Sequence, residues 1–219
     1  MSPRPILPES SAHQAIRAQA QARRLQHAAD LDAFVSAAQP LVLEIGCGHG
    51  HFLTAYAAAH PQEWCVGADL ISYRIERANR KKRLAHLENV LFLKAEAFEL
   101  LEALGARRVE KLFILFADPW PKRRHHNRRL LRTQLLDEAA KHTNPGALLC
   151  FRTDDADFFK AAHACVEAHP LWGLSEEPWP FEASTFFQEM HPVYQSLIAR
   201  RLPGLGEDIQ PENQEELDD

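Results

Sequence analysis

The segment Leu41-Val-Leu-Glu-Ile-Gly-Cys-Gly-His-Gly50 decides the fold. Its first five residues are apolar except for Glu44, which is typical of a short buried strand, and glycines follow at positions 46, 48 and 50. Glycine lets the backbone turn sharply and lie close to a ligand. The segment therefore predicts a strand, a tight turn and the start of a helix, the arrangement with which many α/β proteins bind nucleotides.

The same alternation continues along the chain. Apolar runs predict strands at 41–45, 64–69, 90–93, 111–116 and 146–152, separated by helices at 51–59, 71–87, 97–104, 128–142 and 156–168. Strands that alternate with helices favour a doubly wound, mainly parallel sheet of the α/β class. We interpret a last apolar run, 193–199, as an antiparallel strand that completes the same sheet.

Composition divides the chain into three parts. Residues 1–39 are predicted to be an N-terminal extension with a helix over 11–34, which Leu25, Leu31 and Phe34 would seat on the body. Residues 40–203 form the α/β domain, and residues 204–219 form an acidic tail that we expect to be disordered. That tail carries seven of the 30 carboxylates, so the net charge of −5 hides a body with 25 basic and 23 acidic residues.

Other compositional features exclude several classes of protein. No apolar run reaches the roughly 18–20 residues of a membrane span, and the N-terminus lacks a signal pattern, so we expect a cytoplasmic protein. The four cysteines stand singly in apolar segments, and the twelve histidines lack metal-binding spacing. We therefore expect buried, reduced thiols and no metal site. Nothing in the sequence implies an obligate protein partner.

Carboxylates stand at or near the ends of four predicted strands: Glu44, Asp69, Glu96 and Asp118. Each alone is more commonly a helix N-cap or a surface group, but four along one sheet edge suggest a ligand site. Asp69 could accept from ribose hydroxyls, and Glu96 from an adenine amino group. Glu44 lies two residues before Gly46, where it would repel a pyrophosphate but attract the cationic groups of S-adenosylmethionine. Charge and glycine spacing thus favour that methyl donor over NAD.

The most basic segment directly follows Asp118. It begins Asp118-Pro-Trp-Pro-Lys122 and continues with Arg123, Arg124, Arg128, Arg129 and Arg132. The prolines hold Trp120 and Asp118 in an extended turn, and the cations are expected to contact phosphates. A second cationic group, at residues 74–83, is interpreted as a solvated helix face, with contact to RNA as the alternative.

With its glycine turn, the Asp118–Leu130 segment and Thr153-Asp154, the chain resembles the bacterial tRNA (guanine-N7-)-methyltransferases over roughly residues 40 to 200. The resemblance implies a seven-stranded Rossmann-like sheet and methyl transfer from S-adenosylmethionine to N7 of guanosine 46 in the tRNA variable loop. It also implies roles for individual residues. The donor-binding set is Glu44, Gly46, Gly48, Asp69, Glu96 and Asp118, with Asp118 also catalytic, and the substrate contacts are Lys122, Asp154, Thr185 and Gln188.

One segment departs from the family pattern. Thr185-Phe-Phe-Gln-Glu-Met190 stands where the family has T-x-[FY]-E-x-[KR], so Gln188 replaces a glutamate and Met190 replaces a cation. Two alternatives therefore stay open. One is a methyltransferase that acts on another substrate, and the other is a tRNA-binding protein of this fold with impaired catalysis.

Overall fold

The computed structural model describes residues 11–183 and 193–204. A seven-stranded sheet is formed by β1 (Leu41–Ile45), β2 (Trp64–Asp69), β3 (Val90–Lys94), β4 (Val109–Leu115), β5 (Leu148–Thr153), β6 (Trp172–Ser175) and β7 (Gln195–Arg201). The helices are α1 (Ser11–Phe34), α2 (His51–Ala59), α3 (Ser72–Leu84), α4 (Ala97–Ala103), α5 (Thr133–Lys141) and α6 (Ala156–Glu167), with a 3-10 helix at Arg123–Arg128.

The strand order, β3-β2-β1-β4-β5-β7-β6, confirms the doubly wound sheet. The first five strands are mutually parallel, whereas β7 pairs antiparallel with β5 and β6 antiparallel with β7. The chain reverses direction across the sheet at β1, whose neighbours are β2 and β4. In parallel sheets such a switch point leaves a crevice at the carboxyl ends of the strands.

Strand β1 shows why the sheet is covered on both faces. All five of its residues are buried. Leu41, Leu43 and Ile45 belong to the hydrophobic cluster that also contains residues of α1, α4, α5 and α6, whereas Val42 belongs to the cluster with α2 and α3. Side chains alternate between the two faces of a strand, so helices must cover both sides. The protein is therefore a three-layer α/β sandwich.

Two elements differ from the predictions. The helix predicted over 128–142 is present, but its predicted start is wrong: a 3-10 helix occupies 123–128, and α5 begins only at Thr133. The break falls at Arg129, whose φ of −56° and ψ of 135° are not helical, because its side chain turns inward to bind other elements. Strand β6 at Trp172–Ser175 was not among the predicted strands, and its buried Trp172 donates to the Leu136 carbonyl at 3.0 Å.

Some single-residue expectations also change. Leu31 of α1 is fully buried, but Leu25 of the same helix is 65% exposed and does not pack against the body. On α3, the buried residues are Ile75 and Ala78. Among the cysteines, Cys165 is only half-buried, while the other three are buried as predicted. No helix in the described ranges is long and apolar enough to cross a membrane.

Candidate active site

The glycine turn after β1 has a backbone that only glycine adopts easily. Gly46, Gly48 and Gly50 have φ values of 81°, 53° and 68°. A Cβ at Gly50 would lie 2.7 Å from Ala78 Cβ and 2.8 Å from Phe92 Cζ, so this glycine is needed for packing. A Cβ at Gly46 or Gly48 would meet nothing within 4 Å. Those two glycines therefore border open space that a ligand can fill.

Asp69, at the end of β2, holds the glycine turn in place. Its Oδ2 accepts from the Gly48 N–H at 3.0 Å, and its Oδ1 accepts from the Ile71 N–H at 2.8 Å. Arg74 Nη1 also donates to Oδ2, at 3.3 Å. A carboxylate offers about four acceptor positions, so Asp69 retains capacity for a ligand hydroxyl. Asp69 thus has a structural role beside the binding role that the sequence predicts.

Glu44 lies beneath the same turn and is only 3% exposed. Its Oε2 is buried without a hydrogen-bond partner in the described structure. Burial raises the pKa of Glu44 to about 8, a backbone contact with Leu53 opposes that shift, and the Asp69 charge adds to it. A group of this kind is protonated at neutral pH unless a cation approaches it.

Glu96 begins α4 as its N-cap. Its Oε2 accepts from the N–H groups of Phe98 at 2.8 Å and Glu99 at 3.2 Å. Such a cap is the ordinary structural use of a carboxylate at a helix start. Both bonds use Oε2, which leaves Oε1 able to accept from a ligand amino group. Glu96 can therefore cap α4 and accept a hydrogen bond from a ligand at the same time.

Asp118 lies in a turn whose backbone is strained at two aromatic residues. Phe116 has a φ of 53° and Trp120 a φ of 46°, a region that bulky side chains rarely adopt. The Phe116 N–H donates to the Arg152 carbonyl at 2.9 Å, which continues the β4–β5 pairing. The Trp120 ring carries the Arg128 guanidinium 5.0 Å from its centroid. Asp118, which is exposed, lies between these two residues in the chain.

A buried arginine fixes the far side of this turn. Arg129 is 4% exposed, and its Nε donates to the Pro119 carbonyl at 2.7 Å. Its Nη2 donates to Asp157 Oδ2 at 2.7 Å, and its guanidinium lies 5.2 Å from the Phe158 ring centroid. The expectation that this arginine contacts phosphate is therefore wrong, because its donors face the protein interior.

The carboxyl ends of β1, β2, β3 and β4 enclose a cavity of about 300 Å³. It contains four of the predicted donor-site residues, namely Gly46, Asp69, Glu96 and Asp118. Apolar walls come from Leu70, Ile71, Phe116 and Leu130, and the other lining groups include Arg74, Trp120 and Arg128. Apolar walls with a few convergent polar groups are typical of small-molecule sites. Glu44 and Gly48 adjoin the cavity through Asp69 but do not line it.

The family can be assigned from the comparisons. A family model described as "Putative methyltransferase" matches residues 38–189. A tRNA (guanine-N(7)-)-methyltransferase of Rhodospirillum rubrum is 32% identical over 176 residues, which cover 74% of this chain and 68% of the relative. The chain belongs to the bacterial tRNA (guanine-N7-)-methyltransferase family.

Further relatives carry the same name. That of Roseobacter denitrificans is 32% identical over 157 residues, covering 69% of this chain and 67% of the relative. The relative from Syntrophotalea carbinolica is 37% identical over 142 residues, covering 64% of this chain and 60% of the relative. The chain is accordingly a methyltransferase, and the shared region contains the glycine turn and the Asp118 segment.

Solved structures of other methyltransferases share the fold of this family member. TrmN from Thermus thermophilus superposes with a TM-score of 0.55 at 20% identity, over 84% of this chain and 48% of that one. The antibiotic-resistance methyltransferase Kmr superposes with a TM-score of 0.54 at 18% identity, over 81% of this chain and 94% of that one. At these identities the likeness establishes the Rossmann-like methyltransferase fold alone.

The structure describes two of the four predicted substrate residues of this methyltransferase, and both are absent from the lining of the cavity. Lys122 and Asp154 are exposed, and neither lines it. Thr185 and Gln188 fall outside the described residues, as does Met190. Of the basic segment, Lys122, Arg123, Arg124 and Arg128 are exposed. The substrate roles of all these residues stay predictions.

The positions of three residues were not found from the sequence: two line the cavity, and the third, Arg152, lies outside its lining. Ile71 and Arg74 line the cavity because they follow the acidic end of β2, a position that the strand prediction could have indicated. Arg152 is buried, its guanidinium lies 3.7 Å from the Trp179 ring centroid, and it pairs bidentately with Glu182. An arginine inside an apolar strand gives no sequence signal for such contacts.

Another cavity, of about 400 Å³, lies at the opposite edge of the sheet. Of its three cations, Lys111 and Arg200 form salt bridges with Glu63 and Glu177, and Arg108 donates to the carbonyls of Ala106 and Arg107. Amino ends of parallel strands are not where α/β enzymes place their active sites, so we assign the chemistry to the carboxyl edge. Within the described residues, no three His, Cys, Asp or Glu side chains are arranged to hold a metal ion.

Proposed function

We propose that this enzyme transfers the methyl group of S-adenosylmethionine to N7 of guanosine 46 in the variable loop of tRNA. The observation that carries the proposal is the cavity at the sheet switch point, where Asp69, Glu96 and Asp118 meet beside an exposed cationic segment. Relatives named as tRNA (guanine-N(7)-)-methyltransferases support the same substrate and the same nitrogen atom.

The residues present fit this methyl donor. The unpartnered Oε2 of Glu44 lies under the glycine turn, where a cationic group of the donor would satisfy it. Open space beside Gly46 and Gly48 lets the donor approach the backbone closely. In this arrangement Asp69 accepts from the ribose hydroxyls and Glu96 Oε1 from the adenine amino group. The apolar walls at Leu70 and Ile71 cover the faces of the purine ring.

S-adenosylmethionine supplies a methyl group made electrophilic by its bond to a sulfonium. Guanine N7 carries a free lone pair, so the chain needs no general base, and its main task is to align the two reactants. The methylated guanine is cationic. The Asp118 carboxylate, held by the Phe116–Trp120 turn, would stabilise that positive charge as it develops.

The surface around the cavity suits an RNA substrate. Lys122, Arg123, Arg124 and Arg128 are exposed, and Arg128 also lines the cavity. Cations in this position can hold the phosphates on either side of a base that is turned out of its stack. Trp120 lies in the cavity wall, where its ring can contact such a base. The small neutral substrates of other methyltransferases need no such cationic rim.

The direct test is methyl transfer from labelled S-adenosylmethionine to unmodified tRNA, followed by identification of the modified nucleoside. We expect N7-methylguanosine in wild-type tRNA and none in a tRNA whose guanosine 46 is replaced by adenosine. Equal labelling of both tRNAs would show that the position is wrong. If both donor and tRNA bind but no methyl is transferred, the impaired-catalysis alternative is correct, and Gln188→Glu with Met190→Lys should then restore turnover.

A further inference from the structure

Helix α3 carries a cationic and aromatic surface beside the glycine turn. We define the α3 surface as His49, Tyr73, Arg77, Arg80 and Lys81. Tyr73, Arg77 and Lys81 follow one another at four-residue spacing, so they lie on one face of α3. Tyr73 is 54% exposed, and His49, Arg77 and Arg80 are exposed as well.

Direct contacts join this surface to the glycine turn. The His49 ring lies 6.0 Å from the Tyr73 ring, edge to face, and the Arg77 guanidinium lies 5.0 Å from the Tyr73 centroid. Lys81 Nζ donates to the His49 carbonyl at 2.9 Å. His49 is flanked by Gly48 and Gly50 of the turn. The α3 surface is therefore a continuation of the cavity rim.

The cations of this surface are not neutralised. Elsewhere, Arg23, Arg107, Lys111, Arg129 and Arg200 each form a salt bridge with a carboxylate. In the described part of the chain, Arg77, Arg80 and Lys81 form none, although Glu76 lies on the same helix. The pKa of Lys81 is lowered mainly by burial and also by the charge of Arg77. The pKa of His49 is lowered mainly by burial and also by the charges of Lys81, Arg74 and Arg77. The part of these shifts that comes from neighbouring cations shows that the positive charges of this surface lie close together.

The topology places this charge across the cavity from the basic segment. Helix α3 follows β2 and the basic segment follows β4, and β1 lies between these two strands. Arg74 from α3 and Arg128 from the 3-10 helix both line the cavity. A polyanion that crosses the cavity mouth would therefore meet cations on both sides. Exposed rings between cations are typical of surfaces that bind RNA.

We propose that the α3 surface is a second RNA-binding surface, which holds tRNA phosphates on the far side of the cavity from Lys122–Arg128. Arg77, Arg80 and Lys81 supply the charge, and Tyr73 and His49 offer rings for an unpaired base or a ribose. The proposal rests on the proposed function, because it assumes that tRNA is the substrate. It replaces the interpretation of residues 74–83 as a solvated helix face.

The test compares two double variants of the full-length protein with equal loss of charge. Arg77→Gln with Arg80→Gln removes two cations from the α3 surface. Arg108→Gln with Lys160→Gln removes two exposed cations that lie away from the α3 surface, one directly before β4 and one on α6. The dissociation constant for unmodified tRNA is measured across a range of salt concentrations. The KM for tRNA, kcat and donor affinity are measured in parallel.

We expect the Arg77/Arg80 variant to bind tRNA about tenfold more weakly at moderate salt, with the slope of log affinity against log salt reduced by about 1.5. Its KM for tRNA rises while kcat and donor affinity stay close to wild type, and the control variant keeps the wild-type slope. Equal slopes in both variants would overturn the proposal. Wild-type protein that binds tRNA through this surface but methylates no tRNA would refute only the proposed function.

Discussion

At the scale of the residue, Asp118 is the carboxylate to which we assign the most direct part in the proposed chemistry. It is exposed, lines the cavity, and lies between two aromatic residues with positive φ. Asp118→Asn keeps the shape of the side chain but removes the charge that would stabilise a methylated guanine. We expect kcat to fall about 100- to 1,000-fold, a larger loss than the one in donor affinity. Labelled methyl transfer to tRNA and calorimetric donor titration measure these quantities.

The matched control is Glu88→Gln, which neutralises an exposed carboxylate outside the cavity and should leave kcat unchanged. Circular dichroism and the midpoint of thermal unfolding should be the same for both variants and the wild type. An Asp118→Asn enzyme that turns over at the wild-type rate would remove Asp118 from the catalytic assignment.

Glu44 should make the stability of the ligand-free protein depend on pH. Its pKa is raised from 4.5 to about 8, so between these values the folded protein holds a proton that the unfolded chain releases. The free energy of unfolding therefore falls as pH rises through this window, by on the order of a few kcal/mol. Urea denaturation at pH 5 and pH 8 should show a larger fall for wild type than for Glu44→Gln. If the free energy of unfolding falls by the same amount in both proteins, the pH dependence does not come from Glu44.

The same carboxyl should make donor binding depend on pH in the opposite sense. A cationic donor group binds the ionised Glu44, so the affinity of wild type for S-adenosylmethionine should rise as pH increases towards about 8. Glu44→Gln should bind about tenfold more weakly at pH 8 and lose this dependence. Isothermal titration across the pH range measures both. A wild-type affinity that is constant with pH would show that Glu44 does not face the donor charge.

At the scale of the element, Arg129 ties the turn around Asp118 to the start of α6. Its two donors reach the Pro119 carbonyl and Asp157, and this exposed carboxylate has its pKa lowered by the Arg129 hydrogen bond. Arg129→Lys keeps the charge, but a single ammonium cannot form both bonds in this geometry. We expect unfolding free energy to fall by about 1–3 kcal/mol and kcat to fall at least severalfold.

Arg123→Lys provides the control, because Arg123 is an exposed cation of the same segment and the described structure shows no hydrogen bond from its side chain. Denaturation curves and single-turnover rates at saturating tRNA should change for Arg129→Lys only. If the two variants lose stability equally, the inward contacts of Arg129 do not hold the turn.

The first and last residues of several strands and helices could be predicted from the sequence pattern. Strands Leu41–Ile45 and Trp64–Asp69 and helix His51–Ala59 are confirmed residue for residue, because glycine, proline and charged residues mark their ends. The region 123–141 could not be predicted in this way. Its run of arginines has high helix propensity, and only the inward contacts of Arg129 break the helix there.

The candidate site was predictable where it depends on topology alone. Asp69, Glu96 and Asp118 meet in one cavity because the carboxyl ends of parallel strands share one edge of the sheet. The burial of Glu44 was not predictable, since a sequence does not tell how much space the helices leave around a strand residue. The aromatic contacts of Arg152 depend on the chain near Trp179 and Tyr194, which is remote in sequence.

At the scale of the whole molecule, α1 is part of the packed body. It contacts α4, and its side chains form salt bridges from Arg23 to Glu99 and from Arg24 to Glu102. Leu31 is fully buried in the cluster that includes β1 and β4. The division of the chain at residue 39 stays a prediction, but the helix before it covers one face of the sheet.

The contribution of α1 to stability can be measured with two leucine substitutions. Leu31→Ala should lower the free energy of unfolding by about 2–5 kcal/mol, because it opens a cavity in the core. Leu25→Ala, on the 65% exposed side chain, should change it by less than about 0.5 kcal/mol. Urea denaturation at one pH gives both values. Similar small losses in the two variants would show that α1 is not integral to the core.

The position of β7 in the sheet has a consequence for synthesis of the protein on the ribosome. Strand β5, buried except for the partly exposed Leu148, pairs with β7 along its whole length, and β7 lies between β5 and β6. Residues 195–201 emerge after every other element described here. Until they do, the nascent chain exposes the hydrogen-bonding edge of an apolar strand, which is a template for aggregation. Strand β7, the last to emerge, thus covers the β5 edge of the sheet that the earlier strands form.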